Sequence, residues 1–226
     1  MQPRTTSHEN LLSVMADRLF IFDMDGTLLV KTTASIEIAK ATGTSDQLYL
    51  LEKHFSDGVI DAFRFAQEIS AFWGILDKNV IRSVFETTPK LENIEHVTAL
   101  IRRGGGKSCL ITMSPDFYAH HFYDYGFDFI EASRFPTCPG ERVRPEMILS
   151  PKDKAVIAQR LCQQHGFELS DCVAFGDSMS DYILFKELEH TVSVNGDSKI
   201  RTLARYQYEG LDLREAFLSV CRKLSR

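Results

Sequence analysis

The sequence predicts an α/β protein: a doubly wound, Rossmann-like parallel sheet core with a small inserted α-helical cap. Three observations predict it. Short apolar runs stop abruptly at acidic or hydroxyl-bearing loops, as strands buried on both faces do where they leave a sheet. Helix-like stretches separate these runs, which is the alternation that builds parallel sheets. The block between the first two runs is helical throughout and too long for one crossover, so it reads as an insertion.

The elements follow in chain order. Residues 1–17 are polar apart from Leu11-Leu12 to Val14-Met15, and read as a tail or a lead-in helix. Arg18 to Phe22 is the first strand, ending at Asp23-Met-Asp-Gly-Thr27. Ala34 to Ala41 is a helix stopped at Gly43. Ile60, Phe63, Ala66, Ile69 and Phe72 recur at the spacing of a helical face. Asp77 caps a further helix through Phe85, and Thr88-Pro89 breaks it. Leu91 to Ile101 is helical, and Gly104-Gly-Gly106 turns the chain into a second strand, Lys107 to Thr112. A helix over Pro115–Tyr125 and a third strand over Phe127–Glu131 follow. Arg134 to Asp153 is rich in proline and reads as a loop or irregular hairpin. Lys154 to His165 is an amphipathic helix, Asp171 to Phe175 the fourth strand, and Ser180 to Leu188 helical. Thr191 to Val194 is the fifth strand, and Leu211 to Leu224 closes the chain as a helix. The expected division is a tail over 1–17, a core over 18–32 and 87–226, and a cap over 33–86.

Composition narrows the choice of function. The 226 residues hold 26 Lys and Arg against 31 Asp and Glu, a net charge of −5, with no basic run. Such a chain has no general attraction for nucleic acid or anionic lipid. No apolar run approaches the roughly 20 residues that span a bilayer. The start lacks the basic and apolar regions of a secretory signal. Cys109, Cys138, Cys162, Cys172 and Cys221 are scattered, with no C-x-x-C pair, so reduced thiols in a cytoplasmic protein are expected. The expected partner is a small molecule, with neither nucleic acid nor membrane, and the chain a monomer or homodimer.

Three features stand at the carboxyl ends of expected strands. They are Asp23 and Asp25 after the first, Thr112 and Ser114 after the second, and Asp177 and Asp181 after the fourth. In open α/β sheets, ligands bind in the crevice outside those ends. Four carboxylates gathered there repel each other unless a divalent cation joins them, and oxygen ligands of this kind favour Mg²⁺. Mg²⁺ usually shares its shell with a substrate phosphate, which points to phosphoryl transfer. Asp23 is then the nucleophile, and Asp25 the acid that protonates the leaving alkoxide and the base that activates water. Lys154 neutralises charge, with Lys152 its neighbouring rival. Thr112 or Ser114 donates a hydroxyl to the phosphoryl group. Asp23, Asp25, Asp177 and Asp181 are the candidate metal ligands. Two other patterns carry less. Gly104-Gly-Gly-Lys-Ser108 has Ile101 where a P-loop needs its first glycine, and it precedes a strand instead of following one. His120 and His121 face different directions on a helix and lack a third ligand.

Phe20-Ile-Phe-Asp-Met-Asp-Gly-Thr-Leu28 resembles the first motif of the haloacid dehalogenase superfamily of phosphatases. Ile111-Thr-Met-Ser-Pro-Asp-Phe117 resembles the second, and Gly176-Asp-Ser-Met-Ser-Asp181 the fourth. Lys154 fits the third, lying 23 residues before Asp177, as in the phosphoserine phosphatase-like branch. The resemblance spans residues 18–220. It implies Mg²⁺-dependent hydrolysis of a small phosphorylated metabolite through an aspartyl-phosphate, with a helical cap over the site. It also places Met24 and Lys154 among the phosphate-binding residues. The chain departs from that branch at Lys31, where no acid follows the first motif, and at Gln67, where an arginine is expected and Arg64 lies one turn away. Ser180 replaces an expected asparagine. The expected substrate is therefore a metabolite other than phosphoserine. A phosphotransferase or mutase on the same scaffold, a phosphoserine phosphatase with altered contacts, and a non-catalytic metabolite binder are the alternatives.

Overall fold

The computed structural model describes residues 12–138 and 140–225. Its centre is a parallel six-stranded sheet. Strand β1 (Leu19–Phe22) pairs on one side with β2 (Lys107–Pro115), which pairs in turn with β3 (Phe129–Ser133). On its other side β1 pairs with β4 (Cys172–Gly176), followed outward by β5 (His190–Val194) and β6 (Tyr206–Tyr208). Strand order thus reverses between β1 and β4, where doubly wound sheets open a ligand crevice.

All four residues of β1 are buried, because helices cover both faces of the sheet. Phe20 and Phe22 feed one core, where Phe22 stacks on Phe175 with ring centroids 4.6 Å apart and Phe20 meets Phe217 at 5.1 Å. Leu19 and Ile21 feed the opposite core with Cys109, Leu161 and Ala174. The period-two alternation of a strand thus divides one short apolar run between two cores.

Four helices follow β1: α1 (Ala34–Thr42), α2 (Ser45–Ser56), α3 (Ala62–Trp73) and α4 (Lys78–Thr87). Side-chain caps set the starts of α1, α3 and α4. Thr33 accepts from the Ile36 amide, Asp61 from Arg64, and Asp77 from Asn79 and Val80. Gly43 ends α1 in the left-handed region, with φ 70°. The two chain crossings that lead into and out of these helices lie against each other. The Val30 amide donates to Pro89 O at 2.9 Å and the Leu91 amide to Leu28 O at 2.9 Å, around an antiparallel bridge between Leu29 and Lys90.

Helix α5 (Ile94–Arg103) then leads to β2 through the glycine turn. A side chain on Gly104 or Gly106 would strike Met15, which is fully buried there. Residues 1–11 of the expected tail lie outside the described residues. The expected helix over 115–125 is a single α-turn, α6 (Asp116–Ala119), continued as a 3₁₀ helix over His120–Tyr125. β2 runs on to Pro115, with an irregularity in its pairing after Thr112. The proline-rich segment is an excursion closed at its base, where the Arg134 amide donates to Met147 O at 2.9 Å and the Leu149 amide to Ser133 Oγ at 2.9 Å.

Helix α7 (Pro151–His165) begins with a reciprocal capping box between Ser150 and Asp153. α8 (Tyr182–Glu187), α9 (Ser198–Leu203) and α10 (Leu213–Leu224) complete the cover. The sequence predicts five strands, and the described residues form six. β6 is three residues long and partly exposed, so it offers no buried run to recognise. No helix among the described residues is long and apolar enough to cross a membrane.

Candidate active site

Asp23 is the first residue past β1, and its amide continues the sheet by donating to Phe175 O at 2.9 Å. That extension sets its carboxylate at the carboxyl edge of the sheet, nearly sealed from water at 6% exposure. The chain then folds tightly, with the amides of Leu28 and Leu29 both donating to Met24 O at 2.9 Å. Gly26 sits in this turn with φ 77°, and a Cβ there would lie 2.1 Å from Asp177 Oδ2. Only glycine lets the loop after β1 approach the loop after β4 so closely. Met24 sends its side chain into the core, which leaves only its main chain for the phosphate contact expected of it.

Lys154 enters from the first turn of α7 and is 1% exposed. Its Nζ donates to Asp23 Oδ1 at 2.6 Å, to Asp181 Oδ1 at 2.7 Å and to Ser180 Oγ at 3.4 Å. Lys152, its rival in the sequence, is exposed. The remaining oxygen of Asp181 accepts from the Asp177 amide at 3.1 Å, which ties the loop after β4 to the ammonium. Gly176 makes room for this, since a Cβ there would lie 2.4 Å from the Asp181 carboxylate.

Asp23, Asp177 and Asp181 each offer an oxygen within 4.8 Å of the others. Asp177 Oδ1 is buried and has no hydrogen-bond partner among the described residues. Burial and the nearby Asp181 push the Asp177 carboxyl up to about 7. Burial and the charges of Asp181, Asp177 and Asp25 also raise Asp23, against the pull of Lys154. Burial alone would lower the Lys154 ammonium, but the carboxylates of Asp181 and Asp23 outweigh it and keep the group charged. An oxygen-only cluster with an orphaned buried carboxylate oxygen fits a hard divalent cation, which would return these acids to their ionised form.

Asp25 stands apart from that cluster. Its Oδ1 accepts from the Ala34 amide, at the start of α1, at 2.7 Å, and its Oδ2 accepts from Ser114 Oγ at 2.5 Å. Each of its side-chain oxygens thus has a partner outside the cluster. Burial raises its proton affinity, with the Ser114 and Ala34 hydrogen bonds working against that. Thr112, 1% exposed, accepts from the Ser114 amide at 3.1 Å, and both residues line the cavity beside Asp25.

These groups form the floor of a cavity of about 500 Å³. Its roof comes from the inserted helices, chiefly Ile36, Glu52, Phe55 and Phe65, and one wall from Phe135 and Ile148 of the proline-rich excursion. Lys31 lies at the side and is exposed. The sequence reading missed the Ala34 amide, Glu52, Phe135 and Ile148. Neither Arg64 nor Gln67 lines the cavity; the Arg64 guanidinium is held by Glu68 at 2.5 Å and Gln67 at 3.2 Å.

A model of the haloacid dehalogenase-like hydrolase family matches residues 20–186. The chain is 23% identical over 203 residues to a phosphoserine phosphatase of Methanocaldococcus jannaschii, covering 88% of this chain and 95% of the relative. Among solved structures, a substrate-bound phosphoserine phosphatase complex superposes with a TM-score of 0.75 at 19% identity, over 88% of this chain and 96% of that one. A hydrolase of the same family from Salmonella enterica serovar Typhi reaches a TM-score of 0.80 at 18% identity, over 90% of this chain and 71% of that one.

Proposed function

The chain belongs to the haloacid dehalogenase-like hydrolases, and we propose that it hydrolyses the phosphate ester of a small metabolite other than phosphoserine through an aspartyl-phosphate on Asp23. One observation carries the reading: a sealed lysine bridges Asp23 and Asp181 beside an Asp177 oxygen that has no partner among the described residues. A protein that only bound a metabolite would have no need of an aspartate held this way at the carboxyl edge of the sheet.

The residues divide the work by position. Lys154 grips one oxygen of Asp23, orients the carboxylate, and offsets charge as it meets an anionic phosphoryl group. Asp23 attacks phosphorus as the ester oxygen departs, and Asp25 delivers its proton to that oxygen. Asp25 then takes a proton from water, which attacks the phosphorus of the acyl phosphate and returns Asp23 and inorganic phosphate. A raised proton affinity suits the acid half of this cycle. Thr112 and Ser114 offer hydroxyls to the phosphoryl oxygens. Asp23 and Asp177, with Asp181 in support, would hold Mg²⁺, which would supply charge neutralisation and phosphate orientation. The outward engagement of Arg64 supports a substrate without the carboxylate of phosphoserine.

The test is phosphate release from a panel of phosphorylated metabolites. Asp23→Asn is expected to lower turnover by about a thousandfold or more at saturating substrate, as removal of a covalent nucleophile does. Chelation is expected to abolish release, and added Mg²⁺ to restore it. Full turnover by Asp23→Asn sinks the mechanism.

A further inference from the structure

We propose that the alcohol part of the substrate carries a positively charged nitrogen and that Glu52 selects it; this rests on the phosphatase reading above. Glu52 lies on α2 and lines the roof of the cavity, half-buried, with no ion pair or hydrogen bond among the described residues. Aromatic rings line the same cavity. Phe55 is almost one turn further along α2, and its ring meets Phe65 of α3 at 5.4 Å. Phe135 lines the same cavity from the core.

Charge decides what fits between roof and floor. The floor sets one lysine against Asp23, Asp25 and Asp177, with Asp181 buried behind the lysine, and a phosphate ester adds further negative charge. Glu52 already feels Asp25 across the cavity, and its proton affinity is raised by burial and by that charge. A neutral alcohol would displace water from this carboxylate and return at most hydroxyl donors, leaving the charge of a partly buried ion uncompensated. A cationic nitrogen neutralises Glu52, and its alkyl groups lie against the rings of Phe55 and Phe65, the arrangement that favours substituted ammonium ions. Lys31 lines the cavity too, but it is exposed and forms no ion pair with Glu52.

The experiment compares pairs matched in shape. Choline phosphate is set against its carbon isostere, in which carbon replaces the quaternary nitrogen, and ethanolamine phosphate against propyl phosphate. In the full-length wild-type enzyme with Mg²⁺, kcat/KM is expected to favour at least one cationic member by about tenfold or more. In Glu52→Gln that ratio is expected to collapse to within about twofold, mainly through KM, and Glu52→Asp is expected to restore part of it. A ratio reads charge selection even if a variant is less active overall. Hydrolysis of both members at equal rates, or a preference that survives Glu52→Gln, overturns the proposal. Absence of release from every ester strikes the phosphatase reading instead. Calorimetric titration of Asp23→Asn with the same pairs then still decides this one, with tighter binding of the cation expected and equal binding overturning it.

Discussion

Lys154 sits almost wholly out of water between Asp23 and Asp181, and its value there depends on both partners. Buried ion pairs gain little net stability, but removing one member leaves the other stranded. Lys154→Met keeps the bulk and removes the charge, so Asp23 and Asp181 face each other unneutralised. It is expected to destabilise the metal-free protein by about 3–5 kcal/mol, with Mg²⁺ recovering part of the loss; urea unfolding with and without the cation checks both. Gly26→Ala meets Asp177 directly and demands a left-handed backbone. It is expected to cut activity at least a hundredfold while costing about 1–3 kcal/mol of stability, read by kinetics and unfolding together. At this scale the sequence was informative where chemistry coincides with strand ends. Asp23, Asp25, Asp177 and Lys154 converge because the winding of the sheet brings those ends together. Glu52 was not legible. Nothing in a helical repeat says which face of α2 turns toward a floor built from distant segments.

Among the elements, β2 and the chain entering β3 are pinned by one acid. Asp128 accepts from the Ser108 amide at 2.9 Å, from Ser108 Oγ at 3.0 Å and from Lys107 Nζ at 3.1 Å. Burial opposes ionisation, yet these donors hold the Asp128 carboxyl below its ordinary range. A depressed value stabilises the fold above the unfolded acid's pKa, about 4, and the gain fades as pH falls through the lower folded value. Wild type is therefore expected to lose stability more steeply than Asp128→Asn below about pH 4, measured by denaturant midpoints across that range. The buried strands were readable as apolar runs because both of their faces are covered. β6 was not, since an edge strand of three half-exposed residues has no such pattern. The region after β2 departs from the expected helix because Asp116 turns its carboxylate to the amides of Phe117 and Phe135, and regular α-helix ends within one turn.

For the molecule as a whole, the proposed division makes residues 33–86 a cap over a catalytic core. Among the contacts that bind that segment to the core are the Ala34 amide on Asp25, and Phe85 against Tyr118 and Phe122 at 5.3 and 5.0 Å. The first joins the roof to the residue assigned the proton transfers. Limited proteolysis within the cap is expected to slow when Mg²⁺ and vanadate are both present, and unchanged cleavage would count against closure. The paired crossings at Leu29 and Lys90 bear on more than closure. An excursion that departs and returns within one hydrogen-bonded step places no demand on the sheet, whatever its length or contents. Apart from the Ala34 amide on Asp25, floor and roof can thereby vary separately. The carboxylates keep their arrangement through the winding of the core, while the helices above can be repacked, extended or exchanged to admit a different alcohol. In a protein built this way the proposed reaction rests on the sheet, and the proposed choice of molecule rests on a part that could be exchanged around the one amide it lends to Asp25.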